Sequence, residues 1–268
     1  MDDCAAISGT TRVFAILADP IAQVKSPQAV NRLASERGEN SVLVPLQVAS
    51  ADLGRVVEGL RASQSIGGFV VTVPHKSAVV EYCDTVSDAV RQVGAANVVT
   101  RSADGRLHGH NLDGLGFVAG LRLGGIEPVG LSVYLAGAGG AACAIAFALA
   151  QAGVRSLTVY NRTPAKARQL LERLTEAFPG LVTGLGTDNP SEHDLVVNAT
   201  SLGMREGDEL PCDVTRLEAG QVVAEIIMEP AVTPLLQAAK RQGCQTHPGG
   251  SMMEGQIEMI FQTLHRVG

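Results

Sequence analysis

One segment constrains the fold more than any other. Gly137-Ala138-Gly139-Gly140-Ala141-Ala142 follows an apolar run at 133–136 and opens a second apolar run that reaches 152. A buried strand, a glycine turn and a buried helix in immediate succession form the start of a dinucleotide-binding βαβ unit. The first glycine allows the tight turn, the second lets a pyrophosphate approach the backbone, and a small residue at 142 lets helix pack on strand. The helix start offers free N–H groups to phosphate. The competing reading is a packing turn rich in glycine and alanine. No charged residue occurs from Pro128 to Val154, which is long enough to suggest a membrane span. The glycines sit in its middle, where a spanning helix would lose most, and no second span exists. No membrane association is expected.

The rest of the chain alternates strand and helix. In the first half, strands are predicted at 13–18, 41–45, 69–73, 96–100 and 107–111. Helices are predicted at 26–37, 52–62 and 87–93. Ser26 is the expected N-cap, with Pro27 at the first helical position. In the second half, strands fall at 133–136, 157–160, 195–198 and 222–227, and helices at 141–152, 164–177, 233–242 and 251–266. This alternation predicts an α/β fold with parallel sheets. A length of 268 residues suits two domains, with a hinge near 111–116.

Composition narrows the function. Aromatic residues are 3% against 46% hydrophobic, so the cores are built from Val, Leu, Ile and Ala. That suits helix-covered parallel sheets. A net charge of -6 argues against a nucleic-acid partner. Cys4, Cys83, Cys143, Cys212 and Cys244 are odd in number and widely spaced, which predicts neither a disulfide framework nor a thiolate metal site. The start, Met1-Asp2-Asp3-Cys4, is acidic where a secretory signal is basic, so a cytoplasmic protein is expected. His108 and His110 alternate on one strand face, but nothing at suitable spacing completes a metal site, and no metal is expected.

The end of the strand after the glycine loop sets cofactor preference. An acid there favours NAD by bonding the ribose 2′-hydroxyl. This chain has Asn161-Arg162-Thr163, with Lys166 one turn on. Two cations beside amide and hydroxyl donors suit a 2′-phosphate, so NADP is expected, with NAD possible. A solvated cationic turn is the bland alternative. Two further residues suit redox chemistry. Lys76 follows the strand ending in Val71-Thr72-Val73-Pro74, and Asp113 lies at the expected hinge. Reduction of a ketone needs a proton for the developing alkoxide, and a Lys–Asp pair can deliver and hold it. Taken singly, each has a plainer reading, a surface lysine and a helix-capping aspartate.

With these residues in view, the chain resembles the shikimate dehydrogenase family over nearly its whole length. The motifs run in order through Asp19-Pro20-Ile21-Ala22, Lys25-Ser26-Pro27, Val71-Thr72-Val73-Pro74-His75-Lys76 and Gly94-Ala95-Ala96-Asn97. Asn111-Leu112-Asp113-Gly114, the glycine loop and Asn161-Arg162-Thr163 follow. Asn198-Ala199-Thr200-Ser201-Leu202-Gly203-Met204, Thr233-Pro234-Leu235-Leu236 and Gly250-Ser251-Met252-Met253 with Gln256 complete the series. The resemblance implies a substrate domain at 1–112 and a Rossmann-type NADP domain at 113–246, with a C-terminal helix at 247–268 returning to the first. It implies reversible reduction of 3-dehydroshikimate to shikimate, hence a role in aromatic amino acid biosynthesis, by a monomer or homodimer. Lys76 and Asp113 match the catalytic pair. Ser26, Thr72, Asn97 and Gln256 match substrate-binding positions. Gly137, Ala138, Gly139, Gly140, Ala141, Asn161, Arg162, Thr163, Lys166, Thr200, Met204 and Gly250 form the implied cofactor set.

The departures fall on substrate contacts. Val24, Val70, Leu112 and Met228 stand where the family usually has Ser, Asn, Thr and Tyr, and Glu225 where it usually has Asp. Each hydrogen bond lost to a charged carboxylate costs roughly 1.5–3 kcal/mol. Two readings of the enzyme therefore stand side by side: a shikimate dehydrogenase with altered kinetics, and a paralogue acting on quinate or an aminoshikimate. A non-catalytic nucleotide-binding regulator is the third, and retention of both Lys76 and Asp113 argues against it.

Overall fold

The computed structural model describes residues 7–266, so Cys4 and the acidic start lie outside the described residues. The chain divides into two compact units, residues 1–112 with 257–268, and residues 113–256. The division falls inside the last helix, after Gln256, whereas the family resemblance implies that all of 247–268 returns to the first domain.

The first unit is built on a six-stranded sheet. Its strands are β1 (Arg12–Ala18), β2 (Ser41–Gln47), β3 (Ile66–Val71), β4 (Thr85–Val86), β5 (Val98–Arg101) and β6 (Leu107–His110), in the order β2-β1-β3-β5-β6-β4. Helices α1 (Ser26–Glu36), α2 (Leu53–Ala62) and α3 (Asp88–Val93) connect them. The strand-helix alternation predicts parallel pairing, and this sheet is mixed, with an antiparallel part. β1 runs parallel to β2 and β3, but β5 is antiparallel to both β3 and β6. The turn between β5 and β6, with Gly105 at φ +85°, is far too short for a crossover and forces a hairpin. A correction concerns α1. Its N-cap is Lys25, and Ser26 is the first helical residue. Pro27 is tolerated there because first-turn N–H groups have no intrahelical partner. Two apolar clusters cover the sheet. One joins Leu17, Phe69 and Val71 to Val57 and Leu60 of α2. The other joins Phe14, Ile16, Val70 and Val98 to Val30 of α1 and to Ile260, Phe261 and Leu264.

The second unit begins at α4 (Asp113–Leu123). Its sheet comprises β7 (Ser132–Ala136), β8 (Ser156–Tyr160), β9 (Val182–Leu185), β10 (Leu195–Asn198), β11 (Val222–Glu225) and β12 (Gln245–His247). The order is β12-β11-β10-β7-β8-β9, parallel throughout. Helices α5 (Gly140–Gln151), α6 (Pro164–Ala177), α7 (Pro234–Arg241) and the part of α8 (Gly250–His265) up to Gln256 complete it. The order reverses between β7 and β10. The carboxyl ends of those strands therefore flank the crevice where doubly wound sheets bind ligands.

Helix α4 carries Gly114, Gly116 and Gly120 although each glycine costs about 1 kcal/mol relative to alanine in a helix. A Cβ on Gly114 would lie 2.1 Å from the Ala144 carbonyl oxygen of α5. On Gly120 it would lie 2.5 Å from the Ser251 carbonyl oxygen of α8. The helices approach backbone to backbone, and only glycine admits that approach.

Candidate active site

In the first unit, three expected site residues gather at one end of the sheet. Thr72 follows β3 and Asn97 precedes β5, and these strands are neighbours. The Val71 N–H donates to the Asn97 carbonyl at 2.8 Å, and the Thr72 N–H to the Leu17 carbonyl at 3.0 Å. Lys76 joins them because its carbonyl accepts the Ala96 N–H at 2.8 Å. The loop between is pinned from within. His75 is 1% exposed, and its Nε2 bonds the Val48 carbonyl oxygen at 2.7 Å. Sequence alone gives His75 no such anchoring role, only a place beside Lys76. Lys76 itself is half-buried. Asn97 is buried, and its Oδ1 accepts the Leu112 N–H at 2.8 Å. Ser26 is buried at the start of α1, the helix that follows β1.

Three of the four apolar departures share a structural setting. Val70 and Leu112 are buried in the cluster with Ile260 and Phe261, and Val24 packs against the same cluster. Met228 is exposed, in the loop after β11.

In the second unit, Asp113 opens α4 and is 4% exposed, and Gln256 of α8 is 7% exposed. The Gln256 Nε2 donates to Asp113 Oδ1 at 3.0 Å.

The glycine loop has the geometry its sequence predicts. Gly137, at φ +118°, turns the chain directly after β7. A Cβ there would be 2.9 Å from the Ala199 carbonyl oxygen, at the end of neighbouring β10. Ala142 is fully buried against the sheet. Gly139 is the N-cap of α5 with no side-chain cap, and a Cβ on Gly139 or Gly140 would meet nothing within 4 Å. Backbone N–H groups in an open cradle without a side-chain competitor fit a dinucleotide pyrophosphate. Beyond β8, the Asn161 amide donates to the Thr163 carbonyl at 2.9 Å, and Arg162 and Lys166 stand exposed beside it. Gly250, the first residue of α8, is also exposed and open.

The turn after β10 is organised by one side chain. Asn198 Oδ1 accepts the Thr200 hydroxyl at 2.7 Å and the Thr200 N–H at 3.0 Å. Its Nδ2 donates to the Leu202 carbonyl at 3.1 Å and to Glu225 Oε2 at 3.3 Å. The Thr200 hydroxyl also accepts the Leu202 N–H at 3.0 Å, so it braces the turn that presents the exposed Met204. Glu225 is fully buried at the end of β11, and its Oε1 has no hydrogen-bond partner. Burial pushes its carboxyl up from the ordinary range, opposed by hydrogen bonds from Thr233 and Asn198.

Among the described residues, no group of three or more His, Cys, Asp or Glu side chains is placed to hold a metal ion. His108 and His110 do stack edge to face, with ring centroids 4.5 Å apart. Burial lowers both, and it takes His110 to about 4.

The chain matches two family profiles. The shikimate dehydrogenase substrate binding domain covers residues 16–99, and shikimate / quinate 5-dehydrogenase covers residues 127–202. A shikimate dehydrogenase (NADP(+)) of Rubrobacter xylanophilus is 41% identical over 254 residues, covering 92% of this chain and 88% of that protein. The crystal structure of shikimate 5-dehydrogenase from Listeria monocytogenes, in complex with shikimate and NAD, superposes with a TM-score of 0.88 at 31% identity, covering 97% of this chain and 93% of that one. The enzyme from Thermus thermophilus, in complex with NADP(H) and shikimate, gives 0.85 at 29% identity, covering 95% and 93%. The glycine loop, the basic turn after β8 and the Lys76 loop thus occur in a chain similar throughout to these enzymes, and the protein belongs to the shikimate dehydrogenase family.

Proposed function

We propose that this protein is an NADP-dependent shikimate dehydrogenase, which reversibly reduces 3-dehydroshikimate to shikimate. The observation that carries the reading is the 41% identity to a shikimate dehydrogenase (NADP(+)) over 92% of the chain. NADP, when bound, accepts and returns the hydride. The residues of the chain do the rest. The N–H groups at the start of α5 hold the pyrophosphate, and Arg162 and Lys166 attract the 2′-phosphate. Asn161 and Thr163 shape that turn, and Met204 and Gly250 line the cofactor. Ser26, Thr72, Asn97 and Gln256 bind the hydroxyls and carboxylate of the substrate. Lys76 and Asp113 serve as the proton-transfer pair for the reacting hydroxyl. Four of the cysteines are free thiols, which suits a reducing compartment such as the cytoplasm. No described helix is long and apolar enough to cross a membrane.

The burial of Val70 and Leu112 in one apolar cluster, with Val24 packed against it, favours a second reading, in which quinate or an aminoshikimate is the better substrate. An oxidation screen with shikimate, quinate and aminoshikimate against NADP and NAD separates the two. Shikimate with NADP is expected to lead. Quinate leading by a wide margin would transfer the assignment to the second reading.

A further inference from the structure

The contact between Gln256 and Asp113 depends on what is missing from a third residue. A Cβ built on Gly116 would stand 2.0 Å from Gln256 Cγ, 2.9 Å from its Cδ and 3.2 Å from its Cβ. All three nearest atoms belong to the Gln256 side chain. The other glycines where these helices meet behave differently. A Cβ on Gly120 would strike the Ser251 carbonyl, and one on Gly255 would come within 2.4 Å of the Gly116 carbonyl oxygen and 2.7 Å of the Gly120 nitrogen. Those glycines let backbones approach. Gly116 leaves a slot for one side chain, and that side chain ends on Asp113 Oδ1 at 3.0 Å.

We infer that Gly116 is a positioning residue for the proton-transfer step, holding the slot through which Gln256 reaches and orients Asp113. A methyl group at 116 and the present course of Gln256 cannot coexist. The nearest obstacle to that methyl group is a side chain rather than backbone, so the side chain yields, and Gln256 swings to another rotamer and releases Asp113. The fold survives because α4 and α8 keep their backbone approach at Gly120 and Gly255. The role of Asp113 in proton transfer rests on the functional reading above, whereas the geometric dependence of Gln256 on Gly116 does not.

A double-mutant cycle tests this, because residues that act through one another are not additive. Gly116→Ala is expected to lower kcat for shikimate oxidation by at least about tenfold, with KM for NADP changed less than about twofold and thermal stability retained. Gly116→Ala in a Gln256→Ala background is expected to add less than about a twofold further loss. Full multiplication of the two single effects would overturn the inference, as would a Gly116→Ala variant with wild-type kcat. Nuclear magnetic resonance supplies a readout without turnover. The protected side-chain amide signal that disappears in Gln256→Ala should also move or vanish in Gly116→Ala, and its persistence unchanged would overturn the inference. If the wild-type protein oxidised no shikimate, the functional reading would fail, and this signal would still decide the role of Gly116.

Discussion

Asn97 Oδ1 accepts the backbone N–H of Leu112 at 2.8 Å, with both residues buried. Asn97 thereby fixes the residue before Asp113, and the Leu112 side chain lies in the cluster with Val70, Val98 and Phe261. Leu112 is thus a packing residue where the family usually has a polar one. Leu112→Thr is predicted to destabilise the protein by about 1–3 kcal/mol, because it takes a hydroxyl into an apolar cluster and removes methyl groups from it. Urea unfolding measures this. An unchanged midpoint would show that the cluster does not depend on Leu112.

Val24 packs against the same cluster but is only partly buried, so a hydroxyl there need not lose its hydration. Val24→Ser is predicted to lower KM for shikimate roughly tenfold, the worth of about one charge-assisted hydrogen bond. Steady-state kinetics at saturating NADP read the effect. A KM that stayed constant would mean that the carboxylate is held elsewhere.

Arg162 is exposed at the end of β8, next to the turn that Asn161 and Thr163 close. Arg162→Ser is predicted to reduce kcat/KM for NADP about tenfold or more, with kcat/KM for NAD unchanged within about twofold. Equal losses with both cofactors would remove Arg162 from 2′-phosphate recognition.

Glu225 makes stability depend on pH. Its carboxyl in the folded protein is raised above the ordinary value of 4.5 by burial. Above that ordinary value the unfolded chain has released the proton while the native state still holds it. The native state then binds more protons, and stability falls as pH rises. The contribution is complete below the ordinary value and is lost as pH climbs towards the raised one. Glu225→Gln removes this dependence and keeps the size and an acceptor for Asn198. The variant is predicted to gain urea resistance relative to wild type as pH rises above the ordinary carboxylate value and through the raised one. A constant difference across that range would show that Glu225 ionises as freely in the folded state as in the unfolded one.

Parts of this architecture are plain in the sequence for physical reasons. Strands β7, β10 and β11 are short, mainly apolar runs bounded by turn residues, as expected of strands buried on both faces, whereas β8 alternates buried and half-buried residues. The edge strands β9 and β12 escape such a reading. Gln245-Thr246-His247 has no apolar residue, and Val182 is 66% exposed. Strand direction in the first unit is similarly hidden. Only the hairpin at Asp104-Gly105 announces an antiparallel pair, and the β3–β5 pairing joins segments far apart in sequence. In the site, the glycine loop carries its own signature, whereas Lys76 and Asp113 have meaning only among the surrounding motifs. The orphaned oxygen of Glu225 and the slot at Gly116 depend on tertiary neighbours, so no local pattern marks them.

On the proposed function, Lys76 takes part in proton transfer during hydride exchange with a cyclic hydroxy acid. The most direct test is kcat for shikimate oxidation by Lys76→Ala at saturating NADP. Loss of roughly 10²–10⁴-fold, with cofactor affinity and thermal stability retained, is the predicted result. A kcat within about twofold of wild type would contradict that role and the assignment built on it.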